Sequence, residues 1–151
     1  MCEIFNIDGK VTRESVVSDW NKKIIAEFRE NEGVVGGPYE GKTLLLLHTT
    51  GAKSGQERVN PLMTYADDGR YVVVASKGGA PTHPDWYHNV LANPEVKFEV
   101  GTQQIAARAE IASEPERTRL YEKMEAIASG FTEYKQKAGR TIPVVILHPT
   151  N

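Results

Sequence analysis

Side chains able to hold a ligand gather in three short stretches of this chain. They are Gly51-Ala-Lys-Ser-Gly-Gln-Glu-Arg-Val-Asn-Pro61, Ala75-Ser-Lys-Gly-Gly79 and Pro84-Asp-Trp-Tyr-His-Asn89. Each falls at a strand end or a helix start in the reading below, where glycines let backbone approach a ligand and present N–H groups. Lys53, Ser54, Arg58, Ser76 and Lys77 add cationic and hydroxyl donors. That inventory suits an anionic ligand bearing phosphate or carboxylates. A solvated hairpin turn followed by an ordinary strand-to-helix loop would use the same residues.

Several other chemistries are not supported. Gly51-x-x-x-Gly55 lacks the Lys-Ser/Thr that completes a phosphate loop, and no Gly-x-Gly-x-x-Gly follows a strand. His48, His83, His88 and His148 lack the close spacing of a metal pair on one element, so no metal is expected. There is no Gly-x-Ser-x-Gly elbow. Cys2 is the single cysteine, which rules out an intramolecular disulfide and reads as an inert thiol at a frayed end.

The elements that must position these stretches follow from periodicity. Val16, Trp20, Ile24 and Phe28, widened by Val17 and Ile25, predict an amphipathic helix over about 12–30 that packs on a core. Gly and Pro residues over 31–41 predict an irregular loop. Strands are expected at Thr43–Thr50, Arg58–Tyr65 and Arg70–Ser76, with a tight hairpin turn at Asp67-Asp68-Gly69. A short helix starts at Pro84 and stops at Asn93-Pro94. Glu95–Gly101 and Gln103–Ala112 form a further hairpin, Val96, Phe98 and Val100 alternating with Lys97 and Glu99 on a wet face. Ser113-Glu-Pro-Glu116 has the spacing of a capping box and opens a helix through Leu120, Tyr121, Met124 and Ile127. Gly130 and Gly139 punctuate the next stretch, and Ile142–Leu147 is the last strand. The pattern is α+β: a compact antiparallel barrel with helices packed on it.

The chain has 151 residues, 40% hydrophobic and 25% charged, enough for one domain with a real core. A net charge of −2 gives no global footprint for nucleic acid, though a local basic site remains compatible with it. Met1–Lys10 mixes charges with single apolar residues and does not read as a signal peptide. Runs such as Leu44–Leu47 fall far short of a membrane span. A cytoplasmic protein is expected, with monomer and homodimer both open.

Four motifs in order then carry a resemblance. They are Thr49-Thr-Gly-Ala-Lys-Ser-Gly-Gln-Glu-Arg-Val-Asn-Pro-Leu62, Val74-Ala-Ser-Lys-Gly-Gly79, His83-Pro-Asp-Trp-Tyr87 and Arg140-Thr-Ile-Pro-Val144. The stretch from Gly33 to Pro149 closely resembles the deazaflavin-dependent nitroreductase family. The resemblance implies an FMN-binding split-barrel-like fold of about six antiparallel strands, and coenzyme F420, whose tail carries a phosphate and glutamate carboxylates. It implies tail or phosphate contacts at Ala52, Lys53 and Ser54. Arg58, Val59, Asn60, Pro61, Leu62 and Met63 would line the deazaflavin and its side chain. Val74, Ala75, Ser76 and Lys77 would edge the ring, and Asp85, Trp86, Tyr87, His88 and Asn89 would close around the cofactor.

The expected activity is hydride transfer from reduced F420 to a small electron-poor acceptor: a quinone, an enone or unsaturated lactone, or a nitroaromatic compound. Ser76 is the candidate hydroxyl near the reacting edge, with Tyr134 the second catalytic candidate. Relatives carry tyrosines before the final strand; this chain keeps Tyr134 but has Phe131 and Ala128 at positions where they carry further ones. Phe131 can stack on a flat acceptor yet donates no hydrogen bond, so nitroimidazole prodrug activation is not carried over. Phe131 also motivates an alternative, a non-catalytic F420 carrier. A split-barrel flavoprotein using FMN is a further alternative, since a fold does not fix a function.

Overall fold

The apolar runs become the strands of one antiparallel sheet in the computed structural model, which describes residues 13–150. Cys2 and the start of the chain lie outside the described residues. The order is α1 (Arg13–Glu30), β1 (Leu44–Thr50), β2 (Glu57–Met63), β3 (Tyr65–Asp67), β4 (Arg70–Val74), α2 (Asp85–Ala92), β5 (Glu95–Val100), β6 (Gln103–Ile111), α3 (Glu116–Ile127), α4 (Gly130–Ala138) and β7 (Val144–Pro149). Across the sheet the strands run β2-β1-β5-β6-β7-β4-β3.

That order has a geometric consequence. β2 and β3 lie at opposite edges of the sheet but are separated in the chain only by Thr64. The sheet therefore has to curl until its edges meet there. Thr64 joins both sides: its N–H donates to the Thr43 carbonyl at 3.0 Å, and its buried hydroxyl donates to the Val72 carbonyl at 2.8 Å. Here the sequence reading is corrected, because the single strand expected over Arg58–Tyr65 breaks at Thr64 to turn this corner.

Alternation along the strands sorts the core. Leu45 and Leu47 of β1 pack inside the curl with Val73, Phe98, Val145 and Leu147. Leu44 and Leu46 face outward under Ile24 and Phe28 of α1. Val72, Val74, Val144 and Ile146 are covered by Leu120, Tyr121 and Met124 of α3 and by Phe131 of α4. Buried faces on both sides explain why β1 and β4 read as unbroken apolar runs.

Other expectations need correction. Trp20, expected on the packed stripe of α1, is 47% exposed, and among the described side chains of this helix the buried ones are Ile24 and Phe28. The side chains of Val16 and Val17 lie outside the described residues. Glu99, expected on a wet face, is buried beneath α1, where Arg29 reaches it with Nη2 to Oε2 at 2.8 Å. His48 Nε2 sits 2.6 Å from the same oxygen. Hydrogen bonding from Arg29, then from His48, holds the Glu99 carboxyl below the usual range despite its burial. The Ser113–Glu116 capping box does not form. Instead the Glu114 carboxylate accepts from the Thr118 N–H at 3.1 Å, covering the start of α3. Ile127 is 39% exposed, off the buried side of α3. The stretch between Gly130 and Gly139 is the helix α4, ended by Gly139 in the left-handed region.

Candidate active site

At the sheet edge, β2 pairs with β1 on one side only, and every residue from Arg58 to Met63 is partly exposed. Two cavities adjoin along this strand, Asn60 lining one and Pro61 the other.

The first cavity, of about 460 Å³, lies between the Gly51–Gly55 turn, β2 and the start of α2. Ala52, Lys53, Ser54, Arg58, Val59, Asn60, Asp85, His88 and Asn89 line it together with Gly51. The turn is built tightly: a Cβ at Gly51 would lie 2.6 Å from the Ser54 hydroxyl. Buried Asn89 fastens the turn to α2, accepting from the Ala52 N–H at 2.9 Å and donating to Thr49 Oγ1 at 3.1 Å. Those bonds occupy the Ala52 N–H and one donor and one acceptor site of the Asn89 amide. Lys53 and Arg58 have no carboxylate partner among the described residues, so their charge is available to an anion, with Asp85 the one opposing carboxylate in the lining.

The second cavity, of about 510 Å³, is lined from β2 by Pro61, Leu62 and Met63, and from the end of β4 and the turn after it by Val74, Ser76, Lys77 and Gly78. Trp86 of α2 contributes as well, and Ala128, Ser129, Gly130, Phe131 and Tyr134 close the far side. Residues expected at the ring edge and residues expected at the acceptor thus share one chamber. Phe131 and Tyr134 stand edge to face, 5.3 Å between ring centres. Ser76 is buried, and no protein group among the described residues hydrogen-bonds its hydroxyl. Ser76 lines the cavity, so its hydroxyl can donate to or accept from a molecule held there.

Two expected residues stand apart. Ala75 is fully buried, its N–H bonded to the Pro143 carbonyl at 2.9 Å, so it backs the wall and does not line it. Tyr87 lies outside both linings with its ring 4.7 Å from that of His83. His83 is held below the usual histidine range, first by burial, then by the Arg140 cation, then by His88. Sequence reasoning missed Pro38, Tyr39 and Lys42, which reach the second cavity from the Gly-rich loop; Lys42 Nζ donates to the Ile127 carbonyl at 2.7 Å. Composition marks that stretch as a loop, but nothing in it shows where the loop folds. The donor set fits a ligand with an anionic arm and a flat ring: free cations along one cavity, aromatic and aliphatic walls with an unpaired hydroxyl in the next.

Comparison with known proteins agrees with that chemistry. Residues 20–149 match the model of the F420H(2)-dependent quinone reductase family, and the chain belongs to this family. An F420H(2)-dependent quinone reductase of Mycobacterium tuberculosis (strain ATCC 25618 / H37Rv) is 43% identical over 127 residues, covering 81% of this chain and 85% of the relative. A solved structure described as an F420-H2 dependent reductase superposes with a TM-score of 0.65 at 40% identity, over 70% of this chain and 93% of that one. Another, described as a domain-swapped dimer, gives 0.67 at 35% identity over 91% and 100%. The fold is the split barrel of F420-dependent reductases, the cofactor of the family is coenzyme F420, and the class is oxidoreductase. Among the described residues no helix is long and apolar enough to cross a membrane.

Proposed function

We propose that this chain reduces a quinone with F420H2, the anionic arm of the cofactor lying in the first cavity and the ring sharing the second with the acceptor. The observation that carries the reading is the Ser76 hydroxyl, without a protein partner among the described residues and in one chamber with Phe131 and Tyr134. When bound, the reduced cofactor supplies a hydride. The chain supplies the rest. Lys53 and Arg58 neutralise phosphate and carboxylate charge, drawing the ligand along the open edge of β2. Leu62, Met63, Val74 and Trp86 offer flat or apolar contact that keeps water from the ring. Phe131 presents a ring to a planar acceptor. Ser76 and Tyr134 hold hydroxyl protons where negative charge develops on an acceptor oxygen.

The test is direct. Purified protein is titrated with F420 and with FMN, then mixed with reduced F420 and a panel of quinones, enones and nitroaromatics. F420 binding with fastest turnover on quinones is expected. FMN binding without F420 binding would overturn the cofactor assignment, and tight F420 binding with no turnover on any acceptor would make the protein a carrier.

A further inference from the structure

Arg140 stands behind the second cavity, outside its lining, and commits its guanidinium to one stretch of chain. Nε donates to the Ala80 carbonyl at 3.1 Å. Nη2 donates to the carbonyls of Ala75 at 3.2 Å, Ser76 at 3.3 Å and Thr82 at 2.9 Å. Nη1 donates to His83 Nδ1 at 3.0 Å, which fixes that nitrogen as an acceptor. No carboxylate pairs with Arg140 among the described residues. Its charge is met by carbonyl dipoles, and burial pulls its pKa down from the usual value.

The stretch so gripped opens with a tight glycine-rich turn. Lys77, Gly78 and Gly79 all take positive φ, at 49°, 63° and 86°, and two turn hydrogen bonds hold them, Gly79 N–H to Ser76 and Ala80 N–H to Lys77. Its front, Ser76 to Gly78, faces the cavity. Its flank meets α4 so closely that a Cβ at Gly79 would lie 3.1 Å from the Tyr134 Cα. Gly139, at φ 64°, ends α4 immediately before Arg140 and redirects the chain there.

We infer that Arg140 is the positioning residue of the reaction chamber: it sets the Ser76 hydroxyl and the Lys77–Gly78 turn against the helix that carries Phe131 and Tyr134. This rests on reading the chamber as the F420 site. A planar fork reaches several carbonyls of one loop at once, whereas a lysine ammonium is a single point of charge. The role is distinct from stability alone, because Ser76, one of the residues held, lines the cavity while Arg140 does not.

Arg140→Met and Arg140→Lys test it in two stages. In protein without cofactor, amide hydrogen exchange over residues 76–83 should accelerate in both variants, while β1 and β7 keep wild-type protection. With F420 and a quinone, kcat should fall roughly 10-fold to 100-fold in R140M, with smaller changes in F420 Kd and quinone KM and partial recovery in R140K. Folded variants with wild-type exchange over 76–83, or with wild-type kcat, would overturn the inference. If R140M does not fold, R140K is read by the same criteria. Failure of the wild-type protein to bind F420 would remove the cofactor reading instead, and the exchange measurement would still decide whether Arg140 holds the loop.

Discussion

Lys77 carries a side chain at a backbone angle that glycine adopts far more easily, φ 49°, in a turn whose next two residues are glycines. A non-glycine residue there costs about 1–2 kcal/mol, part of which is offset because glycine loses more freedom on folding. Lys77→Gly should therefore stabilise the ligand-free protein by about 0.5 kcal/mol in urea unfolding. The same change should weaken F420 binding and flatten its salt dependence, since a cation bordering the cavity is lost. A variant that gains stability and keeps its affinity would mean that Lys77 has no part in binding. Ser76→Ala should lower kcat more than it raises F420 Kd; turnover at the wild-type level would make Ser76 structural. The sequence makes these two residues conspicuous by type and by their glycine neighbours. Arg140 was visible only as part of a motif, because no local pattern tells that a guanidinium will reach carbonyls some sixty positions earlier in the chain.

Elements are docked on each other by a few carboxylates. Asp67, at the end of β3, accepts from Arg70 Nη2 at 2.6 Å and from Lys123 Nζ of α3 at 2.7 Å, with Arg119 of the same helix 3.5 Å away. Hydrogen bonds from Lys123 and Arg70 hold its pKa at about 2, against burial. A depressed carboxyl pKa adds stability that is complete above the unfolded value of about 4 and disappears as pH falls through about 2. Asp67→Asn should accordingly unfold at lower urea than wild type at pH 7, and the two should converge as pH drops from 4 to 2. A constant gap across that window would remove Asp67 from the acid response. The turn at Asp68-Gly69 was legible, with φ values of 54° and 80° as its residue types suggest. The anchoring of that hairpin to α3 was not, since its partners lie about fifty positions on. Glu99 teaches the same lesson: period-two alternation tells which side of a strand a residue faces, and only tertiary structure tells whether a helix covers that side.

At the scale of the molecule, the order of most elements followed from apolar periodicity and turn residues, while the closure did not. It depends on Thr64 joining two distant edges, and no local signal marks it. Thr64→Val keeps the shape but deprives the Val72 carbonyl of its buried hydroxyl donor, an expected loss of about 1–2 kcal/mol in urea unfolding, with the slope of the transition unchanged. No loss of stability would show that the chain connection alone closes the barrel. The same topology leaves β2 unpaired along its outer side, and residues of this strand line both cavities. A bare strand edge is also a template on which a foreign strand can add and seed aggregates. Pro61 removes one N–H from β2, and Arg58 charges it, which makes the strand a poor template for other chains while leaving its side chains free to meet a small molecule. One strand thus serves as a wall of two cavities and still resists addition of a further strand.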